Sequence, residues 1–167
     1  FQPTHVGRDA NLQKEAFEFA KMGGTIDFTC GESEKKFHSV AASIKAAKAE
    51  GVPIEKVTMS SDGQGSWSNY DADGKLVEIG VSDVDTIYRQ IVYMVKEEQM
   101  DLEELLPLGT KNPAMALELY PKKGAVREES DADILIMNED LSLDTVIAMG
   151  VPMMRGGKIL KKGTYEK

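Results

Sequence analysis

The sequence predicts an α/β fold, part of a parallel (β/α) barrel over residues 1–123, followed over 124–167 by strands of a small β unit. Three observations predict it. Short apolar runs alternate with segments of helical periodicity through the first part of the chain, joined by short loops. Two of those runs end in a chemically capable side chain, His5 within Thr4-His5-Val6-Gly7-Arg8 and Asp62 within Ser60-Ser61-Asp62-Gly63-Gln64-Gly65-Ser66. Both would stand at the carboxyl ends of parallel strands, where α/β barrels build their sites. From Gly124 onward the pattern changes to short apolar runs without helical spacing between them.

Residues 1–6 read as a strand. Asp9 or Asn11 can then cap a helix whose Leu12, Ala16, Phe17, Phe19 and Ala20 recur at helical spacing until Gly23-Gly24. A strand is expected over 25–30 and a helix over 33–50, with Phe37, Val40, Ala41, Ile44 and Ala47 on one face and Gly51 as its stop. The third strand, 56–61, leads into Asp62. This β-α-β-α-β order implies right-handed crossovers and parallel strands. Residues 63–82 interrupt the rhythm: Asp71-Ala72-Asp73-Gly74 before Leu76-Val77-Glu78-Ile79 suggests an inserted hairpin or lid. A helix resumes over 83–98 with Ile87, Ile91, Val92 and Val95 inward, and Asp101 and Asn112-Pro113 open two shorter ones. Beyond a boundary near 122–124, strands are expected over 132–137 and 145–149, with a hairpin over 151–160 around Gly156-Gly157.

Composition narrows the function. The net charge of -8 argues against a nucleic-acid-binding surface, which needs clustered Lys and Arg. Lys158, Lys161 and Lys162 alternate with apolar residues and read as a solvated edge. No run approaches the roughly 20 apolar residues that span a bilayer. The single cysteine, Cys30, excludes an intrachain disulfide and fits a reducing, cytoplasmic setting, with its thiol as a small apolar group. The chain opens on Phe1, without a secretory signal, so its start is expected to be an interior position of a longer protein.

Histidine is scarce, only His5 and His38. His5, at the end of an apolar run, can bind a metal or donate a hydrogen bond. His38, inside a helix beside Lys35 and Lys36, reads as solvated. Asp62 can be a ligand, a general base or a helix cap, and Gly63 and Gly65 clear side chains from around it. Asp71-Ala72-Asp73-Gly74 is expected to be a turn, because Ser82 occupies the place where a calcium loop needs a bidentate Glu. Phosphate-loop and dinucleotide fingerprints do not occur.

Thr4-His5-Val6-Gly7-Arg8, Gly23-Gly24-Thr25-Ile26-Asp27, the run from Ser60 to Ser66, Gly80-Val81, Thr110-Lys111-Asn112-Pro113-Ala114 and Asp131-Ala132-Asp133-Ile134-Leu135-Ile136 occur here in order. Together they resemble the carboxyl-terminal portion of the isoaspartyl (β-aspartyl) dipeptidase family of the amidohydrolase superfamily. Met153-Met154-Arg155-Gly156-Gly157-Lys158 and Lys162-Gly163-Thr164-Tyr165-Glu166 continue the resemblance.

The resemblance implies a distorted (β/α)8 amidohydrolase barrel with two zinc ions, of which this chain supplies strands six to eight. It also implies roles for individual residues. His5, at strand six, is similar to the histidine that binds the more exposed zinc. Asp62, at strand eight, is similar to the aspartate that binds the other zinc, takes a proton during attack and delivers it to the leaving amine. Arg8 is similar to the residue that grips the substrate α-carboxylate, and Ser66 to a substrate-contacting serine. The departure is large, because no His-x-His occurs in the chain and the bridging lysine and the fifth-strand histidine have no counterpart. Those groups are expected upstream of Phe1, since an eight-stranded barrel takes roughly 250 residues. The expected reading is therefore a fragment of a zinc-dependent dipeptidase acting on β-aspartyl dipeptides, inactive alone, whose partners are the missing amino-terminal part and further copies in a homo-oligomer. A dihydroorotase-like or hydantoinase-like amidohydrolase and a noncatalytic interaction module are the alternatives.

Overall fold

Ile26–Thr29 (β1) and Val57–Ser60 (β2) pair in parallel, Ile26 opposite Val57 and Thr29 opposite Ser60, at the centre of the computed structural model, which describes residues 1–31 and 33–163 and omits the side chain of Glu34. Period-two alternation gives this small sheet two different faces. Ile26, Phe28, Val57 and Met59 are buried apolar residues, while the intervening Asp27, Thr29, Thr58 and Ser60 are polar and hydrogen-bonded to one another.

Helices cover the sheet. Ala10–Lys21 (α1) begins where the Asp9 carboxylate accepts from Asn11 N and Leu12 N, and Glu34–Ala49 (α2) begins where Ser33 Oγ accepts from Lys36 N. Both helices end alike. Gly23 and Gly51 adopt positive φ, and the next residue's N–H reaches back to Phe19 O in α1 and to Ala47 O in α2. Phe17 and Ala20 of α1 and Val40, Ala41, Ile44 and Ala47 of α2 enter the core, as their spacing predicts. Thr86–Lys96 (α3), Leu102–Gly109 (α4) and Lys111–Ala116 (α5) complete the layer. α3 buries Ile91 and also Met94, with Gln90 Nε2 donating to Phe37 O at 2.9 Å. Asn112 of α5 donates through Nδ2 to Ile54 O and Val57 O, both at 2.8 Å, fastening that helix to the start of β2.

The predicted insertion is an antiparallel hairpin, Ser66–Tyr70 (β3) with Leu76–Val81 (β4). Its turn is built by Asp71, whose carboxylate accepts from Asp73 N and Lys75 N, so the acidic cluster serves the backbone there. Beyond it, Ile134–Met137 (β5), Leu143–Ala148 (β6), Val151–Arg155 (β7) and Lys158–Ile159 (β8) form an antiparallel sheet in sequential order. Lys123 anchors its entry through ion pairs to Asp131 and Asp133. Of the carboxyl-terminal motif, Thr164, Tyr165 and Glu166 lie outside the described residues.

One expected element differs. Residues 1–5 carry no strand assignment, and a 3-10 turn begins at Val6. Pro3 O accepts from Asp27 N at 3.0 Å, so the segment runs against β1, but Pro3 has no N–H with which to return a ladder bond. The side chains hold it instead, with Gln2 Nε2 donating to Thr58 Oγ1 and Thr4 Oγ1 to Asp27 Oδ2.

Candidate active site

His5 and Asp62 each follow a segment of the central layer and each adopts the left-handed backbone region, φ 58° and 52°. Non-glycine residues rarely occupy that region. Gly65 makes the second conformation feasible. A Cβ there would come within 2.7 Å of Asp62 Oδ1, and Gly65 N donates to Asp62 O at 2.8 Å. Ser61 Oγ accepts from Gly63 N, and Gln64 N and Ser82 O tie the loop to the end of β4.

The two side chains meet. His5 Nε2 stands 4.0 Å from Asp62 Oδ2 in a cavity of about 480 Å³ that Arg8 also lines. Burial lowers the imidazole pKa below its ordinary 6.5, the Arg8 charge lowers it further, and Asp62 opposes both. His5 Nδ1 is buried without a hydrogen-bond partner among the described residues. A neutral imidazole and a carboxylate are ordinary zinc ligands, and the orphaned ring nitrogen leaves His5 with donor capacity unused. Among the described residues no cluster of three or more His, Cys, Asp or Glu side chains could surround a metal. The pair therefore fits part of a metal site and not a whole one.

Beneath the pair lies a buried carboxylate. Asp27, 4% exposed, accepts from Thr4 Oγ1 at 2.8 Å and Ser60 Oγ at 2.6 Å through Oδ2, and from Thr58 Oγ1 at 2.9 Å through Oδ1. Thr4 precedes His5, and Ser60 lies two residues before Asp62, so one carboxylate references both site residues.

Ser66 is exposed at the start of β3 and is not among the lining residues, whereas its neighbour Trp67 is. The wall contributed by the hairpin comprises Trp67, Asn69 and Glu78, with Asn69 Nδ2 donating to Glu78 Oε2. Gly80 leaves room for the indole ring, which a Cβ at that position would strike. Reading the hairpin for its alternation would have found this face, since Trp67 and Asn69 are two apart. Lys36 was also missed. It points into the cavity, although its place beside Lys35 and His38 reads as solvent-facing. His38 is on the outside, its Nδ1 2.7 Å from Glu98 Oε1. Cys30 touches the cavity, but burial pushes its thiol up to about 12, which removes it as a nucleophile.

Residues 4–160 match the amidohydrolase family, and the chain belongs to that family. Among solved structures it is similar to the beta-aspartyl dipeptidase from the thermophilic keratin-degrading Fervidobacterium islandicum AW-1 in complex with a beta-Asp-Leu dipeptide, at 34% identity and a TM-score of 0.82. That match covers 99% of this chain and 42% of the other. A second structure of the beta-aspartyl dipeptidase from that organism matches at 32% identity and a TM-score of 0.76, over 99% of this chain and 40% of its own. The N-acetylglucosamine-6-phosphate deacetylase from Pasteurella multocida shares the fold at 16% identity and a TM-score of 0.57, over 78% of this chain and 37% of its own. The chain thus spans less than half the length of the dipeptidases it matches, which accords with a partial barrel followed by a small sheet.

Proposed function

We propose that this chain is the carboxyl-terminal part of a metal-dependent hydrolase of β-aspartyl dipeptides. The observation that carries the reading is the convergence of His5, Arg8 and Asp62 on one cavity in a chain 34% identical to a beta-aspartyl dipeptidase complexed with beta-Asp-Leu. His5 and Asp62 would each hold one of two zinc ions, with the remaining ligands supplied from upstream. Zinc would polarise the scissile carbonyl and acidify water. Asp62 would accept the proton of the attacking water at its carboxylate and pass it to the leaving amine nitrogen. The Arg8 guanidinium would grip the α-carboxylate of the aspartyl portion.

Ser66, at the start of β3 beside the cavity-lining Trp67, would contact the substrate from the rim. The barrel part would end near 122–124, with 124–167 contributing strands to a small β domain. By itself the chain would be inactive, and the upstream part or further copies in a homo-oligomer would cover its open edges. A cytoplasmic location rests on the lone buried Cys30, and no helix among the described residues is long and apolar enough to cross a membrane.

The test is hydrolysis of β-Asp-Leu by the full-length protein, before and after metal removal by a chelator. Leucine release that stops on chelation and returns with zinc is expected. Turnover of a cyclic amide such as dihydroorotate or a hydantoin, with none of the dipeptide, would replace this reading with the related ring-opening activity.

A further inference from the structure

Among the described residues Lys36 is the lysine that lines the cavity of His5 and Asp62, and its ammonium has no ion-pair or hydrogen-bond partner among them. Arg8, on the same cavity, has none either. Burial lowers the Lys36 pKa, and the Arg8 charge lowers it further, as expected of two cations that share one cavity with no ion-pair partner among the described residues. The arrangement is built into the backbone. Lys36 occupies the first turn of α2, and its stem passes over Gly31, where a Cβ would overlap Lys36 Cγ and approach its Cβ to 2.9 Å. Among the described residues the cavity's carboxylates are Glu78, which accepts from Asn69, and Asp62, which faces His5, and neither stands at ion-pair distance from Arg8 or Lys36. Both cations are therefore placed to meet a ligand.

A β-aspartyl dipeptide carries two carboxylates, one on the aspartyl part and one on the leaving amino acid. Resting on the reading above, we propose that Arg8 and Lys36 form a two-cation clamp that selects amides bearing a carboxylate on each side of the scissile bond. Arg8 takes the carboxylate of the acyl part and Lys36 that of the leaving amino acid. The site would then favour true dipeptides over aspartyl amides and over isoaspartyl linkages inside longer chains, whose leaving group has no free carboxylate at that distance.

The experiment compares Lys36→Met with wild type in the full-length protein, using β-Asp-Leu and its C-terminal amide. KM for the free acid should rise about tenfold or more, the loss of one charge-assisted contact, with kcat little changed and no effect on the amide. Lys36→Arg should restore most of the difference, and Gly31→Ala, which displaces the lysine stem without touching its charge, should shift KM in the same direction as Lys36→Met. Calorimetry supplies a readout independent of turnover. Pimelate, whose methylene chain matches the path between the two carboxylates of the dipeptide, should bind more tightly than hexanoate, and Lys36→Met should abolish that preference. Equal effects of Lys36→Met on acid and amide, or an intact preference for pimelate, overturn the clamp. Dipeptide turnover that is indifferent to Lys36 defeats the clamp alone. A Lys36-dependent pimelate preference in a protein that hydrolyses no β-aspartyl dipeptide keeps the clamp and defeats the substrate reading.

Discussion

Ser60 Oγ donates to Asp27 Oδ2 at 2.6 Å, a bond that crosses from β2 to β1 directly below the loops that carry Asp62 and His5. Thr4 Oγ1 reaches the same oxygen at 2.8 Å. The site residues are thus held from below by a group that touches neither of them, and a buried carboxylate is tolerated there because hydroxyl donors replace the water it lost.

Asp27→Asn tests that arrangement. Its amide turns one acceptor oxygen into a donor facing hydroxyls, and burial prevents water from compensating. A stability loss of roughly 1–3 kcal/mol is expected in the full-length protein, read by denaturant titration. The proposed hydrolysis of β-aspartyl dipeptides should slow as well, through misplacement of His5 and Asp62. An unchanged unfolding midpoint would mean that the hydroxyls satisfy one another without the carboxylate.

The central elements were legible because their signals were local and strong. Gly23-Gly24 and Gly51 stop two helices by the same geometry, and the apolar spacing of α2 leads straight to its buried Val40, Ala41, Ile44 and Ala47. The strand expected over 1–6 is not one in the structure, because a run of apolar residues does not reveal that Pro3 has no N–H to return a ladder bond. The cavity wall was only half legible. His5, Arg8 and Asp62 sit in distinctive short motifs, and Trp67 shows only through the alternation of the hairpin, but Lys36 acquires its place from a helix start whose orientation no local pattern encodes. Asn112 shows the converse, since a recognisable motif residue proved to fasten α5 to β2.

Separate kinetic consequences are expected for Asp62 and Arg8. On the proposed roles, Asp62→Asn in the full-length protein preserves shape and removes a proton acceptor, so kcat should fall by about 100-fold or more with KM little altered. Arg8→Lys keeps the charge and loses the bidentate fork, so KM should rise strongly with a smaller change in kcat. Steady-state kinetics on β-Asp-Leu separates the two, and matching effects on kcat and KM would contradict the assigned roles.

Glu98 should be one source of acid sensitivity. Hydrogen bonds from Lys45 and His38, with Lys45 the larger influence, hold the Glu98 carboxyl below its ordinary 4.5 and tie α2 to the end of α3. A depressed carboxyl contributes stability above its unfolded pKa and loses it as pH falls through the folded value. Glu98→Gln should therefore be less stable than wild type near neutral pH, by the roughly 0.2–1 kcal/mol typical of exposed pairs, and the gap should close below pH 4.5. Thermal melts across that range check it, and a gap that persists in acid would place the contribution in packing instead.

The 167-residue chain alone should self-associate. The sheet of β1 and β2 has two strands where a closed barrel has eight, and among the described residues the outer edges are met by Pro3 O at Asp27 N and by Asn112 Nδ2 at Val57 O. The hairpin exposes Leu76, Val77, Ile79 and Val81 together, and Leu117, Leu119 and Val126 add a second apolar surface near the start of the small sheet. Unpaired edges beside apolar patches recruit other chains. Light scattering on the purified chain should report species heavier than 18.3 kDa, and addition of the upstream part of the same protein should convert them to a defined complex. A stable, monodisperse monomer would show instead that these surfaces need no cover.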